Sequence, residues 1–289
     1  MNSKFTKLFR FSMTFIVVLV AIFAGFALWN NYMNSPWTRD GRVRADITLV
    51  APDVDGLVSK VLVKDNQFVR KGDILFEIDE NRFLDAYNEA KATANAKKIE
   101  YEMKKQQSAR RKIINDESIS KEDREDSSFD ATIAKAKYEQ SLELLKTAKL
   151  NLERTKVQAP TDGWVSNLLL RQGDYAKVGS NCMALVNKDS FWVNGYFEEH
   201  KISMIHIGDK VEIRPLGTNF IIKGHVDSIA KAIIDRDNTT GERLLANVNP
   251  IFTWVRLAQR IPVRIDIDEV PKGMTLSAGM TCSVSVLAR

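Results

Sequence analysis

The chain has 289 residues, 44% of them hydrophobic and 27% charged, an ordinary globular composition with room for one large domain or two or three small ones. Its formal charge of +5, from 42 basic and 37 acidic residues, is too small and too dispersed to draw nucleic acid; Arg110, Arg111 and Lys112 cluster, but no aromatic platform or groove-reading motif goes with them. Cys182 in "NCMALV" and Cys282 in "TCSVSV" stand at strand-like apolar positions, where a thiol packs as a small hydrophobe, and their spacing leaves a disulfide between them open.

The first predicted element is a transmembrane helix over residues 11–30. Residues 11–29, "FSMTFIVVLVAIFAGFALW", carry no charge, and nineteen residues make about 28 Å of helix against a hydrocarbon core of about 30 Å. Lys4, Lys7 and Arg10 precede this run with no acid before Asp40. The positive-inside rule then predicts a cytoplasmic tail over 1–10, a single pass, and the bulk of the chain on the far side, with Trp29, Tyr32 and Trp37 as interfacial anchors. A cleaved signal peptide is the competing reading. It is disfavoured because the run exceeds an h-region of about 7–15 residues and no clear A-x-A site follows.

Residues 41–79 alternate apolar with polar and are punctuated by Gly56 and "RKGD", which predicts short strands joined by turns. From 82 to 154 glycine and proline vanish, and Ala, Lys, Glu and Gln dominate, a composition of high helix propensity. Phe83, Tyr87, Ala90, Ala94 and Tyr101 fall at four-and-three spacing with Lys97 and Lys104 interrupting; Ala131, Tyr138, Leu142, Leu145 and Leu152 repeat the pattern with Lys135 and Lys149 interrupting. Two helices with narrow seams are expected. Ser120 followed by Asp123 reads as a capping box with the shorter acid, so Ser120 caps the second helix and residues 115–118 turn the chain into an antiparallel hairpin.

After Val157 the strand texture returns, and with it a copy of an earlier pattern. At an offset of 107 residues Asp55-Gly56 matches Asp162-Gly163, Val58-Ser59 matches Val165-Ser166, and Gly72 matches Gly179; Val61, Val63, Phe68 and Ile78 match the apolar Leu168, Leu170, Tyr175 and Leu185. Agreement in glycines and apolar alternation together is a specific repeat signal. Each copy has one apolar face and too little area to fold alone, so the two are expected to pack as a small β-sandwich with Gly56, Gly72, Gly163 and Gly179 as its turns.

Duplicated halves of this kind resemble biotinyl-lipoyl carrier domains. A carrier needs a tight turn bearing a lysine between its halves; this chain has the whole helical segment there and neither Met-Lys-Met nor Asp-Lys-Ala anywhere. A split lipoyl motif interrupted by a helical hairpin and preceded by one apolar segment is instead similar to the HlyD/EmrA-family periplasmic adaptors, the membrane fusion proteins. The stretches that carry the resemblance are residues 38–79, residues 159–180 ("APTDGWVSNLLLRQGDYAKVGS") and residues 254–268 ("WVRLAQRIPVRIDID").

The resemblance implies an α+β multidomain fold: a split lipoyl-like β-sandwich over 51–80 and 155–187, an inserted coiled-coil hairpin over 81–154, and a β-barrel domain over 38–50 and 188–289. It implies no enzyme activity and no cofactor. The implied partners are an inner-membrane exporter, a TolC-like outer-membrane channel and further copies of the chain in a ring or funnel, with the chain itself in the inner membrane. Within the family the likeness is strongest to adaptors that export aromatic carboxylic acids such as p-hydroxybenzoate. TolC-type adaptors carry Arg, Leu and Ser around the hairpin tip. Arg110, Ile114 and Ser120 are the nearest match here, with Ile in place of Leu and one residue fewer before the serine, so that Arg111 and Ile113 are also candidates.

In the barrel segment "FWVNGYF", "KVEIRPL", "GHVDSIA", "IPVRIDI" and "TCSVSVLA" read as strands, with a short amphipathic turn at 198–207 and a polar loop over 235–249 as a place for exporter contact. His200, His206 and His225 are scattered without metal-ligand spacing, and no phosphate loop, nucleophile elbow or paired-carboxylate cleft is present. A coiled-coil scaffold or sensor with a lipoyl-like fold, unconnected with transport, is the competing function.

Overall fold

The computed structural model describes residues 3–113, 120–233, 258–271 and 273–287, and within the first helix the side chains of residues 11–26. The chain divides into two compact units, Ile47–Lys188 and Met1–Asp46 with Asp189–Arg289.

The second of these begins with helix α1, Ser3–Asn34. Among the described residues no helix is long and apolar enough to cross a membrane. This overturns the expectation of a single-pass inner-membrane anchor at 11–30.

The rest of this unit is a closed barrel. Its strands are β1 (Trp37–Arg44), β10 (Trp192–Glu198), β11 (Lys210–Pro215), β12 (Ile222–Ile229), β13 (Arg260–Glu269) and β14 (Thr281–Val286), in the order β1-β10-β13-β12-β11-β14. The one strand that precedes the sandwich in sequence closes the barrel: β1 pairs with β10 through Gly41↔Gly195 and with β14 through Gly41↔Cys282. Alternation along β10 buries Val193, Gly195 and Phe197 and turns Trp192, Asn194, Tyr196 and Glu198 outward. Val43, Phe197, Ile213, Ile222, Val263 and Ile265 are all fully buried in the barrel core. A short helix, α4 (Glu199–Ile202), follows β10 where the amphipathic turn was expected. The 235–249 loop lies outside the described residues.

The other unit holds the repeat. Its strands are β2 (Ile47–Val50), β3 (Gly56–Val61), β4 (Phe68–Val69), β5 (Ile74–Ile78), β6 (Lys156–Gln158), β7 (Gly163–Ser166), β8 (Tyr175–Ala176) and β9 (Met183–Asn187); helices α2 (Asn81–Ile113) and α3 (Lys121–Glu153) lie between β5 and β6. Residues 47–50, expected in the barrel, belong here instead: β2 pairs with β9 through Val50↔Met183 just as β6 pairs with β5 through Val157↔Phe76. Those positions differ by 107 residues on both sides.

The two sheets are β2-β9-β7-β4 and β6-β5-β3-β8. The halves therefore do not form one sheet each. Every sheet takes its central pair from one half and its edge strands from the other. The crossing is repeated bond for bond. Val58 N–H donates to Asp174 O at 2.8 Å and Val165 N–H to Gln67 O at 2.9 Å; Gly72 N–H donates to Ala159 O at 2.9 Å and Gly179 N–H to Pro52 O at 3.2 Å. Lys71 N–H donates to Asp162 Oδ1 at 2.8 Å, and Val178 N–H to Asp55 Oδ1 at 2.6 Å. Each aspartate of the two Asp-Gly pairs thus satisfies a turn N–H of the opposite half, where an unpaired donor would be costly.

The four glycines divide by role. Gly72 and Gly179 lie in turns with φ of +91° and +74° and open space around them. Gly56 and Gly163, expected in turns, open strands β3 and β7. They are small because a neighbour is close: a Cβ on Gly56 would lie 2.5 Å from Ile78 Cγ2, and one on Gly163 would lie 2.2 Å from Val186 O. Val58, Val69, Leu75, Phe76, Val165 and Leu185 fill the space between the sheets. Each fully buried side chain of this kind contributes about 1.5–3 kcal/mol relative to exposure.

Candidate functional site

The helix pair is anchored at its base by both halves of the sandwich. Asp79 Oδ1 accepts from Asn81 N–H at 3.2 Å at the start of α2, and Arg82 Nη2 donates to Asp55 O at 2.7 Å. Phe83 packs on the sandwich core. At the other end of α3, Thr155 is fully buried, its hydroxyl donating to Leu152 O at 2.7 Å while its carbonyl accepts from Ile78 N–H at 2.8 Å.

The helices run in opposite directions. Tyr101 stacks on Tyr138 at 6.3 Å between centroids, Lys104 Nζ bonds Asp130 Oδ2 at 2.8 Å, and Arg111 Nη1 donates to Asp123 O at 3.3 Å. The seam on α2 follows the expected positions, with Ala94 buried and Lys97 and Lys104 half-buried along it. On α3 four of the expected seam residues, Ala131, Tyr138, Leu145 and Leu152, are half-buried, and the line departs from expectation only between them. Ser127, Ala134 and Ser141 are buried, whereas Leu142 is exposed and Lys135 and Lys149 lie outside the seam, paired with Glu139 and Glu153 one turn on. Small residues at 134, 141 and 148 let the backbones approach. A leucine or lysine there would hold them apart.

Charge along the pair is matched. The Lys104 ammonium, hydrogen-bonded to Asp130, holds that carboxyl below the ordinary aspartate range, and the Lys97 hydrogen bond does the same for Glu100. The far end is polarised to suit both helices: Arg110, Arg111 and Lys112 occupy the last turn of α2, and Glu122 and Asp123 the first turn of α3. Ser120 is the N-cap as expected. Its Oγ accepts from Asp123 N–H at 3.0 Å and donates to Asp123 Oδ2 at 2.7 Å. The acid completes the box through the serine hydroxyl.

Of the tip residues singled out in the sequence, Ile114 lies outside the described residues. The two arginines differ. Arg111 is tied across to the first turn of α3, whereas among the described residues Arg110 makes a 3.4 Å contact with Gln106 one turn back on its own helix. Ile113 is 84% exposed, so an apolar side chain stands in solvent at the end of α2 beside an arginine with no carboxylate partner among the described residues. The expectation left this position as a secondary candidate, and burial is what raises it.

The three histidines each meet a single carboxylate: His200 meets Glu198, His206 meets Asp209 and His225 meets Asp268. Both cysteines are free and buried, Cys182 in the sandwich core and Cys282 in the barrel core. Packing, rather than pairing, is their role in this structure. Burial pushes the Cys182 thiol up and the Cys282 thiol up to about 12.

A sandwich split by a helix pair, followed by a six-stranded barrel, matches known proteins along its length. Residues 46–188 match the family model of the RND MFP barrel-sandwich hybrid domain, and residues 190–287 that of the AAEA-like beta-barrel domain. The chain is also 40% identical over 282 residues to the uncharacterized protein YdhJ of Escherichia coli (strain K12), covering 97% of this chain and 98% of that one. The chain belongs to the membrane fusion protein family.

Solved structures share the adaptor's fold at low identity. The membrane fusion protein Spr0693 from Streptococcus pneumoniae R6 superposes with a TM-score of 0.63 at 16% identity, over 88% of the adaptor and 100% of that chain. MacA from Actinobacillus actinomycetemcomitans gives 0.63 at 20% identity, over 88% and 79% of the two chains. These structures share the fold, and the chain carries an AAEA-like beta-barrel domain beside a barrel-sandwich hybrid domain.

Proposed function

We propose that this adaptor joins an inner-membrane exporter to a TolC-like outer-membrane channel, as a homo-oligomer, in a tripartite efflux pump for aromatic carboxylic acids such as p-hydroxybenzoate. The observation that carries the reading is the helix pair that leaves the sandwich between its two halves and ends in Arg110, Ile113 and the Ser120 cap. A cation and an apolar knob on a rigid, doubly anchored arm suit a groove between partner helices. Arg110, Ile114 and Ser120 are the proposed channel contacts, with Ile113 sharing the apolar role. The substrate class is supported by the match of residues 190–287 to the AAEA-like beta-barrel domain, together with the resemblance of the sequence to adaptors that export p-hydroxybenzoate. The exporter supplies the driving force; the adaptor does no chemistry.

The test is a deletion strain that also lacks redundant pumps, challenged with p-hydroxybenzoate and complemented in turn with the natural chain and with Arg110→Asp, Ile113→Asp and Ile114→Asp. Deletion is expected to sensitise the cells, and the tip variants to leave them sensitive at undiminished protein level. Unchanged sensitivity on deletion favours a scaffold or sensor over a pump subunit. Full rescue by all three variants moves the channel contact away from the tip.

A further inference from the structure

The barrel unit carries a pocket of about 600 Å³ on its outer surface, formed where β1, β10, α4 and β13 meet. That volume is in the range of small-ligand sites. Two of its walls are aromatic, Trp37 and Tyr196, held at fixed spacing by Thr38, whose hydroxyl donates to Tyr196 O at 2.7 Å and accepts from Asp40 N–H at 3.1 Å.

The floor is charged. Lys201 is 8% exposed, with its ammonium 5.3 Å from the Trp37 ring centroid, 3.4 Å from Trp37 O and 3.4 Å from Glu198 Oε2. A lysine this deep must be paired, and Glu198 neutralises it. Arg260 is likewise paired with Asp40. Arg39 breaks the balance: its guanidinium lies 5.5 Å from the Trp37 ring centroid and has no carboxylate partner among the described residues. Three permanent cations face two carboxylates in one pocket, and the uncompensated charge sits against an indole.

We propose that this pocket binds an aromatic monocarboxylate, with its carboxylate on Arg39 and its ring against Trp37 and Tyr196. A guanidinium takes a carboxylate in bidentate fashion. The aromatic walls give a planar ring contacts that an aliphatic acid of equal charge cannot match. The inference rests on the export of aromatic acids proposed above and adds to it that the adaptor itself holds the cargo.

Binding of p-hydroxybenzoate to the purified full-length chain, followed by titration calorimetry, tests the site. Methyl 4-hydroxybenzoate, which lacks the charge, cyclohexanecarboxylate, which lacks the aromatic ring, and inorganic phosphate are the comparison ligands. Saturable binding at one site is expected, weakened roughly tenfold to a hundredfold in Arg39→Glu, as for a lost charge-assisted bond. Arg39→Lys is expected to fall between the two, keeping charge without the fork. Because Arg39 is exposed, an unchanged unfolding temperature identifies these variants as folded. No saturable binding, equal binding by Arg39→Glu, or equal binding of cyclohexanecarboxylate or phosphate would overturn the proposal.

In the deletion strain the two readings separate. Sensitised cells together with no binding through Arg39 leave the pump standing and remove the site. Unchanged sensitivity together with Arg39-dependent binding removes the pump and leaves the site.

Discussion

Replacing Gly163 with alanine places a methyl carbon 2.2 Å from Val186 O and 2.9 Å from Val186 C. Both atoms are backbone, in a strand paired with β7 through Trp164↔Val186 and Gly163↔Asn187. Relief therefore means opening that ladder. Its repeat partner, Gly56→Ala, meets a side chain instead, Ile78 Cγ2 at 2.5 Å, in a residue that is 2% exposed. Gly72→Ala and Gly179→Ala meet nothing and carry only the penalty of a left-handed backbone. Overpacking costs about 1–3 kcal/mol and a weakened ladder bond about 1 kcal/mol more, which puts Gly163→Ala at about 2–4 kcal/mol. Gly56→Ala is expected at about 1–3 kcal/mol, and the two turn variants at about 1–2 kcal/mol each. For a unit of this size each kcal/mol moves the midpoint by about 2–4 °C, so Gly163→Ala is expected to melt roughly 10 °C below the natural chain. Differential scanning calorimetry of the four variants gives the order. A Gly163→Ala midpoint no lower than that of Gly72→Ala would refute the close-approach assignment and restore Gly163 as a turn glycine.

Two further outcomes follow from ionisation. The Lys71 N–H, and after it Lys188, hold the Asp162 carboxyl below the ordinary aspartate value of 3.8. A depressed carboxyl contributes stability that is present above that unfolded value and lost as pH falls through the folded one. Asp162→Asn keeps an oxygen for Lys71 N–H but no charge, so denaturant midpoints at neutral pH are expected to drop slightly, and the loss on acidifying below the unfolded value to become shallower. Parallel acid limbs for the two chains would count against the crossed cap. The buried thiols are raised, Cys282 to about 12. Alkylation of the folded chain at mildly alkaline pH is therefore expected to be slow at both sites, and slower at Cys282, with fast labelling only in denaturant. Rapid native labelling of Cys282 would contradict its place in the barrel core.

Much of the sandwich was legible because its repeat is written in residue types that backbone geometry demands. Gly72 and Gly179 recur because both turns need positive φ, and Asp55 and Asp162 recur because each caps a turn. What the repeat could not reveal is which half a cap serves, since periodicity records positions within a strand and not its neighbours. The departure of the α3 seam at Leu142 and Lys135, with Ala131, Tyr138, Leu145 and Leu152 still in line, has a different origin. Leu142 and Lys135 have the stronger hydropathy contrast, yet two long helices closing on each other select Ala134 and Ser141 for their small volume. Residues 47–50 read as barrel because alternation is the same in either sheet; only their 107-residue correspondence with β6 assigns them. At the tip, Ser120 was readable from its spacing to Asp123, whereas the choice between Arg110 and Arg111 needed the cross-contact to Asp123. The outer pocket left no trace in the sequence, because its walls come from residues 37–40, 196–201 and 260 and no motif joins them.

The crossed strands also set an order of assembly. No sheet of the sandwich can be completed from one half, so residues 47–78 must wait for residues 156–187, which emerge later from the ribosome. Closing that loop through 77 intervening residues as random chain carries an entropic barrier term of about 4 kcal/mol. Helices form and pair faster than distant strands meet. Once α2 and α3 have zipped together, Ile78 and Thr155 are already within a hydrogen bond of each other, and most of that barrier is gone. The segment that serves as a docking arm in the finished adaptor is, during folding, the tether that brings the later half of the sandwich to the earlier one.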